Sequence, residues 1–108
     1  IKDNKIGTNR TGSTALGGTL QGIRVVASSP GHITIEENLV SGCTEAGMLI
    51  YAGFNEIKNN KIGTDVFGGV AIPNFYGIFM EGVDARDNII GTGNLISGNT
   101  YGLFISSP

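Results

Sequence analysis

The 108-residue chain predicts an all-β fold, a right-handed parallel β-helix (β-solenoid) of about four coils. Three observations predict it. A unit of about 56 residues occurs twice, short apolar runs recur behind a glycine, and asparagines return at one place in every coil.

The repeat comes first because it sets the architecture. Asn4-Lys5-Ile6-Gly7-Thr8 returns as Asn60-Lys61-Ile62-Gly63-Thr64, and Asn38-Leu39-Val40-Ser41-Gly42 as Asn94-Leu95-Ile96-Ser97-Gly98, both at a shift of 56. Gly22-Ile23 returns as Gly77-Ile78 and Gly47-Met48 as Gly102-Leu103, at a shift of 55. Unit 1 (1–55) and unit 2 (56–108) therefore form one domain over 1–108. Each unit divides into a long and a short coil, with two marked strands per coil.

In chain order, the first strand type follows the asparagines. Ile6, Val40, Ile62 and Ile96 each sit two residues after Asn4, Asn38, Asn60 and Asn94 and form one inward column. The second strand type follows the glycines. Ile23, Met48, Ile78 and Leu103 form a column there, with Val25, Ile50, Met80 and Ile105 two residues on. Ile33-Thr34-Ile35 is a further short β-branched run. The long coils insert Thr11–Gln21 and Val66–Tyr76 between the two strand types. No stretch keeps a 3.6-residue apolar period for ten residues, so helices are excluded. A coil cannot bury its own apolar edge, and stability accrues only through its neighbours.

Composition narrows the function classes. Hydrophobic residues make up 40%, and 18 glycines accompany only three prolines without a Gly-X-Y period, which excludes collagen. A net charge of −2 provides no basic footprint for nucleic acid, and no apolar run approaches the roughly 20 residues of a bilayer span. Cys43 is the single cysteine, so an intrachain disulfide is excluded; between Gly42 and Thr44 it reads as a small residue tucked into a turn. The sequence predicts no metal site and no cofactor.

The run Asn94-Leu95-Ile96-Ser97-Gly98-Asn99, followed after two residues by Gly102-Leu103-Phe104-Ile105, resembles the repeat of the right-handed parallel β-helix family, the pectate-lyase-like superfold. Unit 1 departs from it, with Cys43 where unit 2 has Asn99 and one more residue before Gly47. Asn4–Gly18 and Asn60–Asn74 are similar to a long-coil motif of large secreted bacterial repeat proteins. The resemblance implies secretion or display at a cell surface. It is specific for fold only, because the superfold hosts lyases, hydrolases, epimerases, adhesins and inert stalks.

The expected role is a non-enzymatic structural module forming a rigid rod, stalk or head-to-tail fibre, either as a segment of a longer chain or as a stacking protomer. The match of Ser106-Ser107-Pro108 to Ser28-Ser29-Pro30 suggests end-to-end association. The alternative is a fragment of a carbohydrate-binding or polysaccharide-cleaving β-helix protein, in which case a lyase or glycoside hydrolase. Four residue groups carry these expectations. Asn4, Asn38, Asn60 and Asn94 are candidates for a side-chain ladder along the axis. Leu49, Phe79 and Phe104, with Tyr51 beside them, predict an outward apolar stripe, covered by the long loops or by a lateral partner, a second copy or a polysaccharide. Asp84, Arg86 and Asp87 crowd one turn, read as a solvated charged turn or as a calcium or sugar-acid site. No catalytic constellation stands out, and His32 reads as a turn residue.

Overall fold

The computed structural model describes residues 1–26 and 32–106. Its strands are β1 (Lys5–Ile6), β2 (Gln21–Val25), β3 (Thr34–Glu36), β4 (Leu39–Val40), β5 (Ala46–Ile50), β6 (Glu56–Lys58), β7 (Lys61–Ile62), β8 (Tyr76–Glu81), β9 (Ile89–Ile90), β10 (Leu95–Ile96) and β11 (Tyr101–Ser106). They form three sheets, ordered β1-β4-β7-β10, β2-β5-β8-β11 and β3-β6-β9, and every strand pair is parallel. The first three coils each contribute one strand to each sheet in turn and the fourth contributes to the first two, so the chain is a parallel β-helix. The match between Ser28–Pro30 and Ser107–Pro108 lies outside the described residues.

The register lays like residue on like residue. Ile23 pairs with Met48, Met48 with Ile78 and Ile78 with Leu103. Ile6, Val40, Ile62 and Ile96 likewise align across the first sheet. The interior is a dry column of Val40, Met48, Ile50, Ile57, Ile62 and Ile78, none of them exposed to solvent. Burial of such side chains contributes roughly 1.5–3 kcal/mol each.

The third sheet corrects the two-strand reading of the coil. Its members are two or three residues long and mix charged with apolar positions, as in Glu56-Ile57-Lys58. Only Ile35 and Ile57 are fully buried there, while the outward Glu36 and Lys58 are partners in register. Lys2 and Lys58 both approach Glu36, at 3.8 and 4.0 Å. These exposed pairs contribute little stability.

The long insertions also differ from expectation. Each closes on itself, through Thr8–Ala15 and Thr64–Ala71 bridges. Asn9 Oδ1 accepts from Ser13 N at 2.8 Å, and Asp65 Oδ1 from Gly69 N at 2.9 Å, in the equivalent place. That Gly69 hydrogen bond is the largest cause holding the Asp65 carboxyl below its usual range. The two loops stack on each other through Val66 N and Gly12 O. They lie over the first sheet, where added side-chain carbons at Gly12 and Gly68 would meet Leu39 and Leu95. The loops thus cover β1-β4-β7-β10, while along the stripe Leu49 is buried, Phe79 half-buried and Phe104 exposed.

Candidate functional site

Three corners separate the three sheets, and two of them share one construction. A residue with left-handed backbone is followed by an asparagine whose side chain points along the axis. Asp3, Glu37 and Asn59 have φ of 60°, 57° and 56°, with Gly93 at 78°, and they precede Asn4, Asn38, Asn60 and Asn94. Non-glycine residues reach this region rarely, and here the succeeding side chain fixes the turn.

The amide of each asparagine bonds the next coil. Asn4 Nδ2 donates to Asn38 Oδ1 at 3.1 Å, Asn38 Nδ2 to Asn60 Oδ1 at 3.2 Å, and Asn60 Nδ2 to Asn94 Oδ1 at 3.1 Å. The backbone N–H of each donor residue bonds the same oxygen at 3.0 Å. Asn60 Nδ2 also satisfies Ile35 O at 2.9 Å.

Two further files of this kind escaped the sequence reading. At the corner before the third sheet, His32, Phe54 and Asp87 have φ of 60°, 61° and 55°. There Asn55 Nδ2 donates to Asn88 Oδ1 at 3.0 Å, and Ile33 N donates to Asn55 Oδ1. At the third corner Asn74 Nδ2 donates to Asn99 Oδ1 at 3.0 Å. The signal for both was present. Asn55-Glu56-Ile57 and Asn88-Ile89-Ile90 repeat the Asn-x-Ile spacing, and Asn74 and Asn99 stand three residues before Gly77 and Gly102.

Cys43 occupies the third file, one coil below Asn74. Its N–H donates to Asn74 Oδ1 at 2.9 Å, yet its side chain supplies no amide to the coil beneath. The residue is 1% exposed. Burial pushes its thiol up from 9.0 to about 11, against a smaller downward pull from Gly22 N–H. The unfolded chain therefore ionises first as pH rises, and this thiol lowers stability progressively between pH 9 and about 11. Cys43→Asn should remove that slope without raising stability at neutral pH, because Val40 Cγ1 and Ile6 Cγ2 already fill the space beside Gly22 that the Asn74 amide occupies beside Gly47. Chemical denaturation of both proteins at pH 7 and pH 10 checks it.

The outer wall of the second sheet is aromatic in unit 2. Tyr76 stacks on Tyr101 at 5.4 Å, and Phe79 on Phe104 at 5.1 Å with planes 23° apart. Phe75 closes the cluster edge-on against Tyr76 at 4.8 Å. The ring spacing matches the roughly 4.8 Å rise between strands, so the rings spend their faces on each other and turn edges outward. Leu49 lies below Phe79 in register and is buried, while Tyr51 carries Arg24 over its ring at 5.8 Å. Unit 1 holds Gln21 and Arg24 where unit 2 holds Tyr76 and Phe79. The double swap Tyr76→Gln, Phe79→Arg should therefore fold, with a loss of about 2 kcal/mol from the missing ring contacts. Thermal melting checks it.

Asp84, Arg86 and Asp87 share one turn, in which Arg86 N donates to Asp84 O at 2.9 Å, and their side chains meet different neighbours. Arg86 turns to the Phe54 ring, 6.0 Å from its centroid, and Asp87 supplies a left-handed corner. Asp84 joins Arg24, Tyr51 and Glu81 along an open groove of about 330 Å³. Among the described residues, no three His, Cys, Asp or Glu side chains converge as metal donors. His32 stacks on Phe54 at 5.8 Å, and Met48 and Met80 are buried.

No helix among the described residues is long and apolar enough to cross a membrane. No curated protein and no solved structure matches the chain. One family model does, over residues 1–107, described as periplasmic copper-binding protein (NosD). With nearly every residue covered, the chain belongs to the NosD family of periplasmic proteins.

Proposed function

We propose that the chain is a non-enzymatic structural segment of the cell envelope, a rigid β-helical rod that holds its outer wall in a fixed line. The observation that carries this reading is the Asn4–Asn38–Asn60–Asn94 file, whose hydrogen bonds run along the axis through all four coils. Bending the stack must stretch this file, its two companions or the sheets between them, and each hydrogen bond resists at about 1 kcal/mol. The periplasmic description of the family supports placement outside the cytoplasm.

The test combines negative-stain microscopy and small-angle scattering of the purified chain. Four coils at about 4.8 Å each stack to roughly 19 Å, so the 35 Å extent lies across the coils, and any association is expected to lengthen the short stacking direction without widening the 35 Å one. Broad globular aggregates, or release of unsaturated uronate from incubated polysaccharide, would sink the reading. A second reading, polysaccharide contact along the wall, is favoured by the groove where Arg24, Tyr51, Glu81 and Asp84 gather hydrogen-bonding groups. Pull-down on bead-bound polysaccharide, compared with Arg24→Ala, separates the two.

A further inference from the structure

We infer that the coils formed by residues 1–108 hold no copper centre of their own, although the family description names that metal. Copper is held by thiolate, thioether or imidazole donors, in sets of two to four that converge on one point. The whole chain contains one cysteine, one histidine and two methionines. The fold keeps these four apart.

His32 stands at the corner before the third sheet, with its ring against Phe54 and its N–H bonded to Phe54 O. Cys43 stands at a different corner, between the first sheet and the second, pinned by its own N–H to the Asn74 amide. Met48 faces Ile78 in register, and Met80 faces Ile50, so each thioether has an aliphatic residue as its neighbour across the coils. Met48 is fully buried and Met80 nearly so. A thiol must lose its proton to bind metal, and the burial of Cys43 opposes that loss. Bringing any two of these donors onto one ion means shifting a strand against its neighbours in a register set by every coil.

The exposed carboxylates do not replace them. Glu36, Glu37 and Glu56 lie beside Lys2 or Lys58, and oxygen donors suit harder cations than copper. Any part this chain plays in copper handling therefore rests on its scaffold or its wall, not on ligands within its coils.

The native chain is loaded with excess Cu(II), and separately with Cu(I) kept reduced by ascorbate, then desalted and measured for metal by mass spectrometry. The expected result is less than about one copper per ten chains and no thiolate-to-copper absorption band. The chain unfolded in guanidinium, which frees Cys43, is the positive control for the band. Retention above that level by the folded chain overturns the inference. Cys43→Ser and His32→Ala, loaded in parallel, then identify the donor.

Discussion

Asn60→Ala is expected to lower the unfolding free energy by about 3 kcal/mol, which is a large share of the stability of a chain this size. Asn60 is fully buried, and its amide satisfies groups on both neighbouring coils. Its Oδ1 accepts from Asn38 N and Asn38 Nδ2, and its Nδ2 donates to Ile35 O and Asn94 Oδ1. Alanine leaves Asn38 N without its partner in a place water does not reach, and takes one of the hydrogen bonds from Ile35 O, a carbonyl of the β3–β6 ladder. An orphan of this kind costs roughly 1–3 kcal/mol. The loss should be graded along the file, large at Asn38 and Asn60 and small at exposed Asn4. Chemical denaturation of the four single alanine variants tests the grading. Equal, small losses at all four positions would show that the file contributes nothing beyond ordinary turn preference.

The inward columns were legible because coil stacking repeats the same demand at the same place. Where Ile6 needs an apolar partner, so do Val40, Ile62 and Ile96, and the sequence displays that need at shifts of 55 and 56. The third sheet was harder to read. A strand such as Ile89–Ile90 is too short to show alternation, and Glu56 and Lys58 flank a single inward Ile57. The files at Asn55–Asn88 and Asn74–Asn99 were hidden for a related reason. Their corners are built by residues as unlike as Phe54 and Asp87, because a left-handed backbone is set by the next asparagine rather than by the corner side chain. Loop placement had no local signal at all. Whether Val66–Tyr76 folds toward Leu95 or toward Phe79 is decided by the stacking of one loop on another, a contact between residues more than fifty apart. The wall of unit 2 was readable as apolar from Phe79 and Phe104. Its extension through Phe75, Tyr76 and Tyr101 was not, because Tyr76 stands three residues before Phe79 and strict alternation puts the two on opposite faces, whereas their rings lie 4.8 Å apart.

Gly77→Ala should cost about 3–4 kcal/mol, although the substitution adds one methyl group in an ordinary strand conformation. Within the glycine file Gly22, Gly47, Gly77 and Gly102, it is Gly47 and Gly77 that face the asparagines of the third corner, Asn74 and Asn99. A carbon added at Gly77 would lie 2.5 Å from Gly102 O and 2.9 Å from Asn99 Nδ2. The first atom is backbone of the next coil and cannot retreat without opening the β8–β11 pairing. The second is the amide that donates to Ile62 O at 2.9 Å, a carbonyl that also accepts from Ser97 N, so displacing it costs one buried hydrogen bond as well. Overpacking of this kind costs roughly 1–3 kcal/mol, and the lost hydrogen bonds add to it. Gly102→Ala is the matched control, since its added carbon meets only Ile96 Cγ2 at an ordinary 3.6 Å. Melting temperatures of the two variants should diverge sharply, with Gly102→Ala close to the parent. If Gly77→Ala melts with the parent instead, the recurrent glycines serve chain flexibility rather than room for the amides. The coupling between glycine column and asparagine column would then fall with it.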